Sequence, residues 1–276
     1  MRLLLPTTLD EACDLLAGQP DAVPIAGGTD LLVHWPVRFA ALEQTYLDLS
    51  ALAPLRGVRW TDETLVLGAL TTYWDLITDP AVAASFPLLV QAARSIGSIQ
   101  IQARGTWGGN IMHASPAADG VTALMAYDAV LRLQSTDGVE EVPLAEFYRG
   151  YKIMRRRPEQ LLTEIRLPRR SYDVQQFHKV GTRRAQAISK VGLAMTRRAA
   201  DWRVVACSVA PTVRRCRALE QRLQAQQPMR SAADVLRVMV EDVSPIDDLR
   251  STAVYRRTVM SRLAYHSLRE ACAWVE

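Results

Sequence analysis

Apolar positions recur along this chain with two different periods, and the places where the period changes predict its elements. TLDEACDLLAG (8–18) sets Ala12, Leu15 and Leu16 on one face between a Thr start and a Gly stop, which predicts a short amphipathic helix. VPIAGG reads as a buried strand running into a glycine turn. TDLLVHWPV resumes as helix or strand up to Pro36, and TYLDLS is a further short strand. From Arg56 the period shortens. GVRW, TLVLGAL and AVLRLQSTDGVEEVPL predict β-strands, with the Asp137-Gly138 turn splitting the last into two. FPLLVQAARSIGS (86–98) and VTALMAYDA (121–129) predict helices on either side of a glycine-rich loop. EQLLTEIRLPRR ends a strand at Pro168, where a lobe boundary is placed. Three strands follow in QQFHKV, ISKVGLAMTRR and WRVVACSVAP. Two helices follow those, RRCRALEQRLQAQ and TAVYRRTVMSRLAYHSLREACAWV, the last with apolar residues at i, i+3, i+4 and i+7.

A length of 276 residues points to two or three lobes rather than one small core. No apolar run reaches the length of a membrane span, and the opening MRLLLPTTLDEACDLL lacks the apolar core of a secretory signal. Cys13, Cys207, Cys216 and Cys272 are scattered without CxxC spacing. A disulfide framework, a structural zinc and an iron–sulfur cluster are therefore not expected, and a reduced cytoplasmic protein is the default.

The net charge of +4 conceals an asymmetry. Residues 1–148 carry 7 Lys/Arg against 17 Asp/Glu, residues 149–222 carry 19 against 5, and residues 223–276 carry 7 against 7. Such a basic middle segment invites a nucleic-acid reading. The basic residues are nearly all Arg, dispersed through strand-like and turn-like text, with no accompanying zinc-finger or RNA-binding motif. A docking face or an anionic-ligand surface is the preferred reading, because the planar Arg fork suits carboxylates.

Two Gly-Gly segments carry the candidate chemistry. Ala26-Gly27-Gly28-Thr29-Asp30 follows a strand. The second segment, TWGGNIMHASPAAD (106–119), offers Thr106, Gly108, Gly109, Asn110, Ser115 and Asp119. Glycine lets backbone N–H groups approach an anion without a Cβ in the way, and successive N–H groups around a turn suit a pyrophosphate. A lone Gly-Gly pair is more often an ordinary turn. Neither segment matches GxGxxG or GxxxxGK[ST], so a Rossmann or ATP site is disfavoured.

The longer strings are more specific. PIAGGTDLL, LVLGALTT, RGTWGGNIMHASPAADGVTALMAYDAVL, EFYRG, LLTEIRLP, FHKVGTRRAQAIS and SPIDDLRSTAVYRR occur in that order across nearly the whole chain. Together they resemble the FAD-binding medium subunit of the molybdenum hydroxylases, a family that includes xanthine dehydrogenases and carbon monoxide dehydrogenase. The resemblance implies an α+β protein with a vanillyl-alcohol-oxidase-type (PCMH-like) FAD-binding fold and a C-terminal α+β flavoprotein domain. Its lobes would span residues 1–55, 56–168 and 169–276. FAD would be held non-covalently, with its pyrophosphate wrapped by Val23, Pro24, Ile25, Ala26, Gly27, Gly28, Thr29 and Asp30. The second segment would meet phosphate and ribityl atoms through Thr106, Trp107, Gly108, Gly109 and Asn110. Asp119 corresponds to the carboxylate nearest the flavin end, while Ile96, Leu161 and Lys179 match further cofactor contacts.

No general acid or base is assigned. The resemblance implies a molybdenum-cofactor large subunit, an iron–sulfur small subunit bearing 2Fe-2S clusters, and a dimer of heterotrimers. NAD, a quinone or O2 would be the final acceptor, and xanthine or another purine the substrate of the large subunit. Two rivals remain at this stage, a self-sufficient flavin oxidase of the same fold and a scaffold that has lost FAD. The chain departs from the family pattern in two places. Gln100-Ile101-Gln102-Ala103 stands where QIRN is usual, removing an Arg contact, and the bulk of Trp107 replaces a small aliphatic near the pyrophosphate. His113 reads as a plain polar loop residue rather than a covalent flavin anchor. His34 reads as a helix-end or surface residue, and His178 as a strand neighbour turned away from the flavin. Asp242, Asp247 and Asp248 read as a solvated loop rather than a metal site.

Overall fold

A computed structural model describes residues 2–33, 44–272 and 274–275. Strand β1 (Arg2–Leu4), helix α1 (Leu9–Gly18), β2 (Val23–Ile25) and β3 (Thr45–Asp48) form a small parallel sheet in the order β1-β3-β2, covered by α1. The Thr8 hydroxyl caps α1 by accepting from the Glu11 N–H, and the predicted face turns inward with Ala12 and Leu16 fully buried. TDLLVHWPV gives a short 3-10 turn over residues 31–33, and its continuation, with His34, lies outside the described residues.

The chain then enters a five-stranded antiparallel sheet. It runs through β4 (Val58–Trp60), β5 (Thr64–Gly68), α2 (Tyr73–Ile77), α3 (Pro80–Ser85), α4 (Pro87–Ser95), α5 (Ile99–Arg104), α6 (Trp107–His113) and α7 (Asp119–Ala126). After these come β6 (Val130–Ser135), β7 (Gly138–Pro143), α8 (Leu144–Phe147), the hairpin β8 (Tyr148–Gly150) and β9 (Ile153–Met154), and β10 (Leu161–Pro168). The sheet order is β4-β5-β10-β6-β7, so the last strand to be made occupies the centre. LLTEIRLP can sit there because its apolar residues are buried on both faces, with Leu161, Leu162, Ile165 and Leu167 all below 6% exposed.

A second antiparallel sheet follows, formed in order by β11 (Val174–Val180), β12 (Val191–Arg198), β13 (Asp201–Cys207) and β14 (Arg214–Arg215). One of its faces packs on the larger core through Ala194, Val205 and Cys207, while Leu193, Met195 and Val204 meet α9 (Arg217–Gln224), α10 (Ala232–Met239) and α11 (Ala253–Ala271). Strand alternation thus welds the two larger cores through one sheet. All four cysteines are buried and unpaired. No described helix is long and apolar enough to cross a membrane.

The acid-rich first part and the Arg-rich second part partly neutralise one another. Arg155 meets Glu140 and Glu146, Arg157 meets Asp137, Arg166 meets Glu141, and Arg170, Arg203 and Arg215 converge on Asp128. Much of the basic middle segment is therefore internal pairing rather than a free cationic face.

Asp247 and Asp248 lie in an exposed loop as expected, but the reading of Asp242 as part of it needs correction. Asp242 is a buried cap, accepting from the Ala218 and Leu219 N–H groups at 3.1 and 3.3 Å at the start of α9. Asp247 accepts from Ala253, and Asp248 pairs with Arg256 at 2.6 Å. An Asp242→Ala variant uncaps α9 and is expected to lower the unfolding free energy by about 1–2 kcal/mol in urea denaturation.

Candidate functional site

The two glycine segments lie against each other. A Cβ on Gly27 would meet the Arg104 carbonyl oxygen at 1.8 Å, so only glycine permits that approach. A Cβ on Gly105 would stand 3.3 Å from the Thr29 hydroxyl, and Arg104 Nε donates to the Gly27 carbonyl at 3.3 Å. His113 Nε2 lies 3.4 Å from Asp30 Oδ1, adding a polar bridge between the segments.

Their backbones offer different chemistry. Among the described residues, the N–H groups of Ala26, Gly27, Gly28, Thr29 and Asp30 donate to no acceptor, and Gly28 adopts φ +71°. Unsatisfied amides around a left-handed turn form a concave array of positive dipoles that matches an oxyanion. The glycine pair of the second segment is not in a loop but at the start of α6, with Thr106 as its cap, and the amides from Trp107 to Asn110 are all engaged. Trp107 donates to the Thr71 carbonyl at 3.0 Å and Gly108 to that of Ala69 at 2.9 Å. Gly109 donates to Thr106 Oγ1 at 3.0 Å, and Asn110 to the Thr106 carbonyl at 3.0 Å. What the second segment presents is therefore a bare glycine wall and side chains rather than an amide nest. Asn110 Oδ1 accepts from the Val121 N–H at 3.2 Å, leaving its Nδ2 with no acceptor among the described residues.

Asp119 and Lys179, singled out 60 residues apart, meet directly. Lys179 Nζ donates to Asp119 Oδ2 at 2.7 Å and to the Ser95 carbonyl at 2.8 Å, while the Ser189 hydroxyl donates to Asp119 Oδ1 at 2.5 Å. Asp119 is 5% exposed and opens α7, so its charge faces the positive end of that helix. Burial pushes its carboxyl above the ordinary range, and the Lys179 ammonium is the strongest influence against that rise. Beneath it, burial and the nearby carboxylate push the Cys207 thiol up to about 12, which leaves it an inert packing group.

Three of the expected contacts lie wholly or partly in the core. The Trp107 side chain is wholly buried, edge-to-face with Tyr73 at 5.3 Å, so its bulk fills the core and stands away from the segment's surface. Leu161 is buried among Leu47, Leu52, Leu55 and Leu70 beneath the small sheet. Ile96 packs partly against the larger core. Val23, Pro24 and Ile25 form β2, paired with Tyr46, Leu47 and Asp48. Gln102, at the position where an Arg was expected, is buried and donates to the Arg94 and Ile96 carbonyls, tying α5 to the end of α4.

Arg104, Gly105 and Ser189 were not singled out from the sequence. Gly105 and Arg104 stand in the RGT string and Ser189 in QAIS, but their value comes from contacts 60 or more residues away. His178 lies on the opposite face of β11 from Lys179, as strand alternation predicts, and its Nε2 is buried without a partner among the described residues. Burial holds its pKa below 6.5, with Glu270 opposing weakly. A depressed folded pKa means stability is present above pH 6.5 and is lost as pH falls through the folded value. His178→Gln is expected to flatten that slope in denaturant titrations below pH 6.5.

Comparison with known proteins bears on this geometry. The FAD binding domain in molybdopterin dehydrogenase matches residues 1–170, and the CO dehydrogenase flavoprotein C-terminal domain matches residues 176–271. The chain is 31% identical over 279 residues to the carbon monoxide dehydrogenase medium chain of Hydrogenophaga pseudoflava, covering 97% of this chain and 96% of that one. It is 31% identical over 278 residues to the xanthine dehydrogenase FAD-binding subunit of Escherichia coli O157:H7, covering 96% and 94%. A solved carbon monoxide dehydrogenase structure from Hydrogenophaga pseudoflava superposes with a TM-score of 0.86 at 29% identity, covering 99% of this chain and 98% of that one. The chain therefore belongs to the family of FAD-binding medium subunits of the molybdenum hydroxylases, a family of oxidoreductase subunits.

Proposed function

We propose that the chain is the FAD-holding electron-transfer subunit of a molybdenum-dependent hydroxylase. On this reading it takes electrons from an iron–sulfur subunit and passes them to NAD or another acceptor. The observation that carries it is the row of unpaired amides from Ala26 to Asp30, held open because Gly27 rests on the Arg104 carbonyl. A pyrophosphate supplies the acceptors that these amides lack, so the donor set fits FAD. FAD, when bound, supplies the electron-carrying chemistry.

The chain's own residues bind and orient. Val23 to Ile25 fix the strand that launches the amide row. Thr29, Asp30 and Asn110 offer polar side chains around it, and Thr106 with Gly108 and Gly109 forms the facing wall. The Asp119–Lys179 pair gives the second sheet a fixed charge partner at the head of α7. Ile96, Trp107 and Leu161 complete the proposed cofactor-binding set, with the side chains of Trp107 and Leu161 shaping it from the core. The lobes on this reading are residues 1–55, 56–168 and 169–276.

The substrate of the partner is proposed as xanthine or another purine-like heterocycle. Relatives of equal identity carry names for carbon monoxide and for xanthine, which supports placing substrate choice in another subunit. A dimer of heterotrimers in the cytoplasm completes the proposal. Purification with the partner subunits tests it. One FAD per chain, with molybdenum and iron in the co-purifying polypeptides, is the expected result. Substrate turnover by the isolated chain would instead support a self-sufficient oxidase.

A further inference from the structure

Seven of the sixteen arginines in the 149–222 segment form ion pairs among the described residues, and three of the others stand out because they share one cleft. Arg149, Arg214 and Arg217 are exposed and make no ion pair or side-chain hydrogen bond among the described residues. All three line one cleft of about 390 Å³ between the β8–β9 hairpin and the start of α9. Arg215 also reaches it but is bound to Glu220 at 2.5 Å. Asp242 is the one carboxylate among the described lining residues, and its oxygens are turned to the α9 amides. Three unpaired guanidiniums against this one carboxylate leave the cleft with a net positive charge. Beside it the hairpin tip exposes Tyr151 at 62% and Ile153 at 60%, with Ile153 lying over the cleft-lining Gly150.

From this arrangement we propose that the cleft and hairpin tip dock an acidic segment of a partner subunit, one carrying at least two carboxylates and an apolar side chain. This rests on the subunit reading above. The occupant is a protein rather than a free phosphate because the helix amides that would cradle an oxyanion are already capped by Asp242. Three separated guanidinium forks beside an exposed Tyr and Ile have the make-up of a protein-binding surface. The cleft is also tied to the candidate cofactor site, since the Tyr148 hydroxyl on its wall donates to the Ile111 carbonyl of α6 at 2.9 Å.

The test uses the complex purified from a host expressing all of its subunits. Amide exchange across residues 145–154 and 211–219 is expected to slow at least about tenfold in the complex relative to the isolated chain. The triple variant Arg149→Glu, Arg214→Glu, Arg217→Glu is expected to weaken assembly by about tenfold or more, with FAD content unchanged. Equal exchange in both states, or assembly of the variant at full strength, overturns the proposal while leaving the subunit reading intact. A rise in melting temperature with inorganic phosphate, seen in the wild-type chain but not in the variant and alongside unchanged assembly, identifies a small-oxyanion site and overturns it too. A chain that binds FAD but assembles with nothing overturns both readings.

Discussion

Replacing Gly27 with alanine is expected to lower FAD affinity by about 10- to 100-fold, read by titrating the apo-chain with FAD. The added methyl would sit 1.8 Å from the Arg104 carbonyl oxygen, a backbone atom that cannot swing aside like the end of a flexible side chain. Relief requires the two glycine segments to part, and overpacking of this kind costs about 1–3 kcal/mol. Part of that cost falls on the amide row, whose spacing depends on the contact. One factor of ten in affinity corresponds to about 1.4 kcal/mol, which sets the range. Gly18→Ala is the control, because a Cβ there meets nothing within 4 Å. It is expected to leave FAD binding unchanged. An equal loss in both variants would show that the effect is general destabilisation rather than the geometry of the cradle.

The second large effect concerns the buried pair. Lys179→Met is expected to destabilise the apo-chain by about 3–5 kcal/mol in urea, because it leaves the Asp119 carboxylate buried without its cation. The Ser189 hydroxyl at 2.5 Å remains but carries no charge to balance it. The double variant Asp119→Asn, Lys179→Met removes both charges and is expected to recover most of the loss. If the double variant is as unstable as the single one, the network contributes through packing or hydrogen bonding rather than charge pairing. Flavin content, measured in parallel, separates a purely structural role from one toward the cofactor.

Helix α1, α4 and the strands of both large sheets except β14 were legible because cap, period and stop signals agree within a few residues, whereas Arg214–Arg215, read as the start of a helix, pair as strand with β13. Thr8, the Ala12/Leu16 face and Gly18 all point to one short helix. Helix α6 was hidden by its own glycines. Gly108-Gly109 suggests a turn, yet Thr106 caps the segment and Trp107 and Ile111 keep the i, i+4 spacing of a buried face. Helix α10 was missed although Ser231 caps it and Val235 and Met239 share a face, because Leu236 and Val238 between them blur the helical period. The central place of β10, the cap that Asp242 gives α9 from 24 residues away, and the meeting of Asp119 with Lys179 depend on topology. No local pattern encodes them.

The candidate site was legible as a set of residues but not as a division of labour. The sequence marks two Gly-Gly segments as equivalent. Hydrogen bonding makes them unequal, since the amides from Trp107 to Asn110 are satisfied by Thr71, Ala69 and Thr106. Trp107 shows the same limit. A bulky residue beside a glycine pair reads as an obstacle to a ligand, but its direction was fixed by the helix it begins, which aims it at Tyr73.

The central claim is that the Ala26–Asp30 amides receive the FAD pyrophosphate. Amide resonances of an isotopically labelled apo-chain, followed while FAD is added, test it most directly. Large downfield shifts and slowed exchange confined to Ala26, Gly27, Gly28, Thr29 and Asp30, with those of Trp107 to Asn110 little changed, are the expected result. FAD binding at full strength while the Ala26–Asp30 amides stay unshifted would contradict the account.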